Sequence, residues 1–184
     1  GENPIVRVEP PAFRERTIAV LVPEEIKSLR EVVEIPEFRD CAPAVWVMLY
    51  AGIRPGEVMR LRWSDVDMEE RVISVRSVAS KTGGVRHVTI HAVLRRLLAE
   101  YGAGERDSLL CPPNWPVRWR LLRKKAGWGV HHRFGEWSAD ALRHTYASYH
   151  AKWFRDFPLL QMEMGHRSSS LLRARYLNME GVSR

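Results

Sequence analysis

The sequence predicts a mainly α-helical fold with a small antiparallel β-sheet inserted early in the chain, an α+β architecture. Apolar residues recur at helical spacing along most of the 184 residues, and only one region, near residues 71–90, changes to the alternation of strands. Apolar residues make up 45% of the chain, enough for a substantial core. We therefore expect one domain, with at most a short extension.

The elements before the sheet are predicted to be helices. Pro23 opens the first, followed by two acids that suit a first turn. A second helix runs from about Asp40, as its N-cap, to Gly52, as its C-terminal stop, and its almost wholly apolar face predicts a central position. A short helix begins at Pro55, and the chain then turns over residues 63–67.

Two strands, residues 71–75 and 85–90, are predicted to form a hairpin around a Gly-Gly turn. Helical spacing then returns. Further helices are predicted over residues 94–101, 116–126, 138–153, 159–164 and 169–177. In the helix over 138–153, an apolar stripe is expected to anchor the helix in the core, and Arg143 lies off that stripe. The stripe consists of Leu142, Tyr146, Tyr149 and Trp153.

The charge of the chain favours a polyanionic partner such as nucleic acid. Lys and Arg number 29 against 22 acids, which gives a net charge of +7 and a pI of about 9.8. No acid occurs from residue 108 to residue 135, a stretch that also holds three tryptophans. The alternative is a solvated basic helix whose tryptophans serve the core. The candidate DNA contacts are Arg118, Arg123, Lys124, Lys125 and Arg133.

Cysteine and histidine spacing predicts neither a disulfide framework nor a metal site. Cys41 and Cys111 form no CxxC pair. The histidines at positions 131, 132, 144 and 150 match no zinc-ligand spacing. No apolar run is long enough for a membrane span and no cleavable leader is visible, so we expect a soluble, cytoplasmic protein.

Four segments contain residues suited to phosphate chemistry, although each residue alone has an ordinary structural explanation. An arginine at a helix junction, a hairpin lysine, a helical arginine and a tyrosine near the end of the chain are all common. The segments are 51–67 with Arg54, 80–88 with Lys81, 142–148 with Arg143, and 164–176 with His166 and Tyr176. In this order, over about residues 20–180, they resemble the four motifs of tyrosine recombinases of the phage integrase family.

This resemblance implies the recombinase catalytic-core fold and a reaction that needs no metal, cofactor or ATP. Tyr176 would attack a DNA phosphodiester and hold a 3′-phosphoryl group. Arg54 and Arg143 would grip the non-bridging oxygens. Lys81 would be the general acid for the leaving 5′-oxygen, and His166 would donate a hydrogen bond to the phosphate.

One position departs from the family pattern. Asp140 stands three residues before the second arginine, where family members most often have histidine. A carboxylate beside a phosphodiester is unfavourable unless it is compensated. Asp140 could pair with Arg143 one turn away, orient it, or accept the Tyr176 proton. Alternatively, activity is lost, or a nearby histidine such as His131, His132 or His144 substitutes.

The resemblance also implies an organisation and partners. Residues 1–20 are interpreted as a linker and 21–184 as the catalytic domain, with the N-terminal core-binding domain of the family absent. The expected partners are double-stranded DNA, in the nucleoid, and other copies of the protein, in a tetramer when full-length and a monomer as this piece. Two alternatives remain open, a degenerate DNA-binding module of the same fold and a type IB topoisomerase.

Overall fold

The described part of the chain is mainly α-helical with a small antiparallel sheet, and the predicted fold class is confirmed. The structure is a computed structural model that describes residues 18–76, 84–101, 104–128 and 137–165. The predicted last helix, over 169–177, lies outside these residues. Short 3-10 turns occupy Arg39–Cys41 and Trp63–Asp65. The helices are α1 (Pro23–Val33), α2 (Ala42–Tyr50), α3 (Pro55–Val58), α4 (Ala92–Tyr101), α5 (Trp115–Lys125), α6 (Ala141–Trp153) and α7 (Phe157–Met164).

The sheet has three antiparallel strands in the order in which they follow along the chain. They are β1 (Val66–Asp67), β2 (Val72–Arg76) and β3 (Val85–Thr89). Ile73 on β2 lies opposite Val88 on β3, and both side chains are fully buried. The alternating β-branched residues thus put one face of the hairpin into the core. Strand β1 was not predicted, because two residues are too few to show a period.

Helix α2 lies at the centre of the core, as its continuous apolar sequence predicts. Every residue from Ala42 to Leu49 is buried, including the large side chain of Trp46. The helix packs against both α4 and α6. A helix that is apolar on all sides has no face suited to water, so a central position is the stable one. Among the described helices, none is both long and apolar enough to cross a bilayer.

A second, smaller apolar cluster joins α6 to α7 and adjoins the end of α2. It is built on Tyr146, Ala147, Leu160 and Met164, all buried. Gly52, after α2, has a φ of 62°, and a Cβ there would lie 2.5 Å from Cδ1 of Tyr146. Only glycine permits both this backbone conformation and this approach. The chain after α2 is therefore pressed directly onto α6.

Two details of the predicted elements are wrong. Asp40 does not cap α2, which begins at Ala42 after a 3-10 turn. Its carboxylate instead accepts hydrogen bonds of 2.5 and 2.6 Å from the guanidinium of Arg118. Trp153, predicted to anchor α6 in the core, is 66% exposed. Arg143, predicted only to lie off the apolar stripe, is buried with 3% exposure, because α6 also buries residues outside that stripe.

Candidate active site

Arg54 is held at the start of α3 by the acid three residues later. Its backbone is extended, and Pro55 begins the helix with its φ already restricted. The Glu57 carboxylate accepts a hydrogen bond of 2.9 Å from the Arg54 backbone N–H and one of 3.1 Å from Nη1 of its guanidinium. One acid therefore caps the helix and orients the arginine side chain.

Arg143 projects from α6 into the protein and joins the ends of two other helices. Nη1 donates to the carbonyl of Gly52, and Nη2 donates to the carbonyl of Met164, at 2.5 Å each. Met164 is the last residue of α7, where helix carbonyls lack partners within the helix, and Gly52 lies two residues beyond the end of α2. A cation at these positions also complements the negative end of each helix dipole.

The two arginines meet at the turn that follows α7. Gly165 adopts the left-handed conformation, with a φ of 61°. A Cβ at this glycine would lie 3.8 Å from Nη1 of Arg54 and 3.2 Å from Cδ of Arg86. Arg143 is bonded to the carbonyl of the preceding residue, Met164. Arg54, Arg86 and Arg143, which we call the arginine cluster, therefore lie around the turn immediately before His166.

Arg86 and Glu57 form part of the same cluster, and the sequence did not single them out. Arg86 on β3 makes two hydrogen bonds to the Glu57 carboxylate, at 2.8 and 2.6 Å, and its Nε donates to the carbonyl of Glu163 at 2.8 Å. Burial alone would raise the pKa of Glu57, but the hydrogen bonds from Arg86 and Arg54 outweigh it and lower the pKa to about 2. The spacing of Glu57 after Arg54 is the local signal that could have identified it.

Asp140 is the residue at the N-terminal boundary of α6. Its backbone carbonyl accepts the first-turn hydrogen bond from His144, at 2.8 Å, and its side chain makes no capping hydrogen bond. It lies three residues before Arg143, on the same end of the helix. Its predicted roles, to orient Arg143 and to accept the Tyr176 proton, stay predictions.

The remaining predicted catalytic residues, Lys81, His166 and Tyr176, lie outside the described residues, as do Arg133 and the alternative histidines His131 and His132. The hairpin strands β2 and β3 flank the segment with Lys81, and Gly165 directly precedes His166. The structure therefore brings together Arg54 and Arg143 and leads the chain from their meeting point to His166.

Helix α5 separates its basic residues into two groups. Arg118 is engaged with Asp40 and with the carbonyl of Glu37, and Arg123 lies over the rings of Trp119 and Trp137, at 5.3 and 5.0 Å. The tryptophans of this region, Trp115, Trp119 and Trp128, are buried in the core. These tryptophans therefore belong to the core, as the interpretation of this stretch as a solvated basic helix predicts. Lys124 and Lys125, by contrast, are exposed.

Comparisons with known proteins agree with this geometry. Residues 19–181 match the profile described as the phage integrase family. No curated protein sequence matches the chain. The structure of XerA recombinase is 26% identical, with a TM-score of 0.68, over 88% of this chain and 61% of that one. The catalytic domain of bacteriophage HP1 integrase is 19% identical, with a TM-score of 0.66, over 86% of each chain.

A third similar structure is a XerH site-specific recombinase bound to its difH substrate, before cleavage. It is 19% identical, with a TM-score of 0.65, over 91% of this chain and 52% of that one. The chain thus spans between about half and three fifths of the two Xer recombinases, but most of the HP1 catalytic domain.

Proposed function

Because the chain belongs to the phage integrase family, we propose that it is the catalytic domain, residues 21–184, of a site-specific recombinase that cleaves and rejoins double-stranded DNA. The recombinase catalytic-core fold expected from the sequence is confirmed by its likeness to solved integrase and recombinase structures. One observation carries the proposal. Arg54 and Arg143, far apart in sequence, both lie against the Met164–Gly165 turn that leads into His166.

In the proposed reaction, the phenol oxygen of Tyr176 attacks the phosphorus of a DNA phosphodiester. A bond forms between that oxygen and the 3′-phosphoryl group, and the bond to the 5′-oxygen breaks. Lys81 supplies the proton to the leaving 5′-oxygen, and His166 donates a hydrogen bond to the phosphate. The phosphotyrosine bond retains the energy needed for rejoining, so attack by a 5′-hydroxyl reverses the step without ATP.

Arg54 and Arg143 stabilise the negative charge that develops on the non-bridging oxygens. The planar guanidinium offers several donors in a fixed geometry, which suits a phosphoryl group better than an ammonium does. The carbonyls of Gly52 and Met164 fix the orientation of Arg143 before any substrate arrives. Donors held in place in this way do not need to reorganise during the reaction, and this makes them effective in catalysis.

We assign Asp140 a supporting role in an intact site. Asp140 precedes the first turn of α6, one turn before Arg143, and it would orient the guanidinium of Arg143 or accept the proton of Tyr176. The competing function is a degenerate module that binds DNA without cutting it, and Asp140 is the observation that favours it. A type IB topoisomerase activity would use the same chemistry without exchange of partners, and relaxation of plasmids lacking any defined site would favour that activity.

DNA is the proposed partner, and a similar solved structure, the Tn1549 transposon integrase, is in complex with circular intermediate DNA. Lys124 and Lys125 are exposed on α5 and suit contacts with backbone phosphates. Arg133 is proposed to join them. Arg118 and Arg123, through their contacts with Asp40 and the tryptophans, fix the helix that presents the lysines. The full-length protein would work in the nucleoid as a tetramer on paired sites, with this domain alone a monomer.

Covalent trapping tests the proposal directly. A pool of nicked duplexes of randomised sequence serves as the substrate, because loss of the short cleaved fragment prevents rejoining. We expect a covalent protein–DNA complex that survives denaturing electrophoresis, and none with Tyr176→Phe. If the parent chain binds the duplexes but forms no such complex, the degenerate module is the correct function. Asp140→His separates the roles of the aspartate, since a large gain in cleavage would contradict a supporting role.

A further inference from the structure

A second group of polar side chains, which the proposed reaction does not use, gathers where β3, α6 and α7 pack together. His91 lies between β3 and α4, His150 on α6 and Glu163 on α7. One ligand atom from each residue lies within 4.8 Å of the ligand atoms of the other two. The three residues are far apart in the sequence, so no linear motif reveals the group.

Three ring nitrogens of the two imidazoles have no hydrogen-bond partner among the described residues. His150 is 3% exposed, and neither of its ring nitrogens has a partner in this part of the chain. The buried Nε2 of His91 has none either. Buried polar atoms are paired in nearly all native proteins, and leaving one unpaired costs on the order of 1–3 kcal/mol. Three such atoms in one group indicate that the site is built for an additional species.

The carboxylate of Glu163 supplies negative charge to the same place. It is 1% exposed. Oε1 accepts a hydrogen bond of 3.0 Å from the Thr89 backbone N–H, and Oε2 accepts one of 2.7 Å from the hydroxyl of Tyr146. Both donors are neutral, and no lysine or arginine side chain in the described part of the chain forms an ion pair with this carboxylate. A buried charge of this kind is stable when a cation accompanies it.

We propose that His91, His150 and Glu163 bind a zinc ion. Two imidazole nitrogens and one carboxylate oxygen form a known zinc ligand set, which leaves a fourth tetrahedral position for water. Each oxygen of Glu163 has a second lone pair available besides its present hydrogen bond. Zinc–ligand bonds of about 2.0–2.2 Å in a tetrahedron put the ligand atoms about 3.3–3.6 Å apart. The present atoms lie within 4.8 Å of one another, so they must approach by up to about 1.5 Å. The stacked ring of Phe154 over His91, with centroids 5.6 Å apart, partly covers the site.

The ion would have a structural role. It would tie the end of β3 to α6 and α7, the two helices that hold Arg143 and end at Gly165. The elements that hold the arginine cluster would then be cross-linked to one another by the ion. This site is independent of the proposed recombination chemistry, which uses no metal, so either proposal can fail without the other.

Thermal unfolding of the chain in zinc tests the proposal. The 184-residue protein is stripped with EDTA and melted with and without zinc chloride. At about a hundredfold excess over the dissociation constant, zinc should raise Tm by on the order of 5–10 °C. His91→Gln and Glu163→Gln should abolish the shift. His87→Gln, at an exposed histidine of β3, should retain it and is the matched control.

Equilibrium dialysis gives a second readout, because histidines elsewhere in the chain can also bind zinc. The His91→Gln variant should bind one zinc ion fewer per chain than the parent, and the His87→Gln variant the same number. The absence of a zinc-dependent Tm shift in the parent would overturn the proposal. Equal zinc binding by the parent and a folded His91→Gln variant, with its fold verified by circular dichroism, would also overturn it.

Discussion

Replacement of Glu57 by glutamine removes the carboxylate that pairs with both Arg54 and Arg86. The hydrogen bonds from Arg86 and Arg54 lower the pKa of Glu57 from an ordinary 4.5 to about 2, against the opposing effect of burial. At about 1.4 kcal/mol per pKa unit, this shift corresponds to about 3 kcal/mol of folding free energy at neutral pH. For a chain of this size, Glu57→Gln should lower Tm by about 6–12 °C at pH 7.

The effect should depend on pH with a definite sign. A carboxylate whose pKa is depressed on folding contributes its full stability above the unfolded pKa, here about 4.5. That contribution is lost as the pH falls from about 4.5 toward 2. The glutamine variant has no proton to gain at this position, so the gap in Tm between it and the parent should narrow below pH 5.

Differential scanning calorimetry at pH 7, 5 and 3 provides the measurement, with Glu31→Gln as the matched control. Glu31 is a solvent-exposed glutamate whose side chain is 65% exposed, and its lysine partner is 4.0 Å away. That replacement should change Tm by no more than about 2 °C at any pH. If Glu57→Gln melts within about 2 °C of the parent at pH 7, or if the gap is the same at pH 3, then Glu57 does not stabilise the cluster as argued.

Two further predictions concern the backbone at the site and the DNA contacts. Gly52→Ala should destabilise the fold by at least about 2 kcal/mol in urea unfolding, because a Cβ would meet Tyr146 at 2.5 Å on a backbone with positive φ. A Cβ added at Gly56 would meet no such neighbour within 4 Å, so Gly56→Ala should change stability by less than about 1 kcal/mol. Equal losses of stability in the two alanine variants would contradict the steric argument. Joint replacement of Lys124 and Lys125 by alanine should leave Tm unchanged and reduce the slope of log affinity against log salt by about two in DNA-binding anisotropy. An unchanged slope would place the DNA on another surface.

The features that the sequence predicts correctly depend on local pattern. The apolar run through Trp46 specifies a buried central helix because no register of that run offers a polar face. The alternation of apolar and polar residues around Ile73 and Val88 specifies a half-buried hairpin, because successive side chains of a strand point to opposite faces of the sheet. The four motifs, by their order, predict the family that the comparisons confirm.

The features that the sequence does not predict depend on contacts between distant residues. Asp40 is a residue type that often caps helices, but the guanidinium of Arg118, 78 positions later, donates two hydrogen bonds to its carboxylate. The pairing of Glu57 with Arg86 and the group of His91, His150 and Glu163 likewise arise only when β3, α6 and α7 are packed together. Lys81, His166 and Tyr176 stay predictions, as do the catalytic roles assigned to Arg54 and Arg143.

The way Glu57 is shared between two arginines would let Arg54 bind the phosphate of the proposed reaction and still be oriented in its absence. Arg86 holds the carboxylate by two short bonds at 13% exposure, whereas Arg54 contributes one side-chain bond of 3.1 Å at 39% exposure. When a phosphate arrives, Arg54 can therefore turn toward it while Arg86 keeps the buried carboxylate neutralised. Without Arg86, the only arginine left on that carboxylate among the described residues is Arg54.

Arg86→Gln should therefore slow covalent trapping of DNA by about tenfold to a hundredfold, because Glu57 then competes with the phosphate for Arg54. The double variant Arg86→Gln/Glu57→Gln removes the competing charge and should recover part of the lost rate, although both variants are less stable than the parent. A merely structural role for Arg86 predicts the opposite order, with the double variant as slow as the single one or slower. The rate of covalent complex formation, measured well below the Tm of the less stable variant, distinguishes the two outcomes.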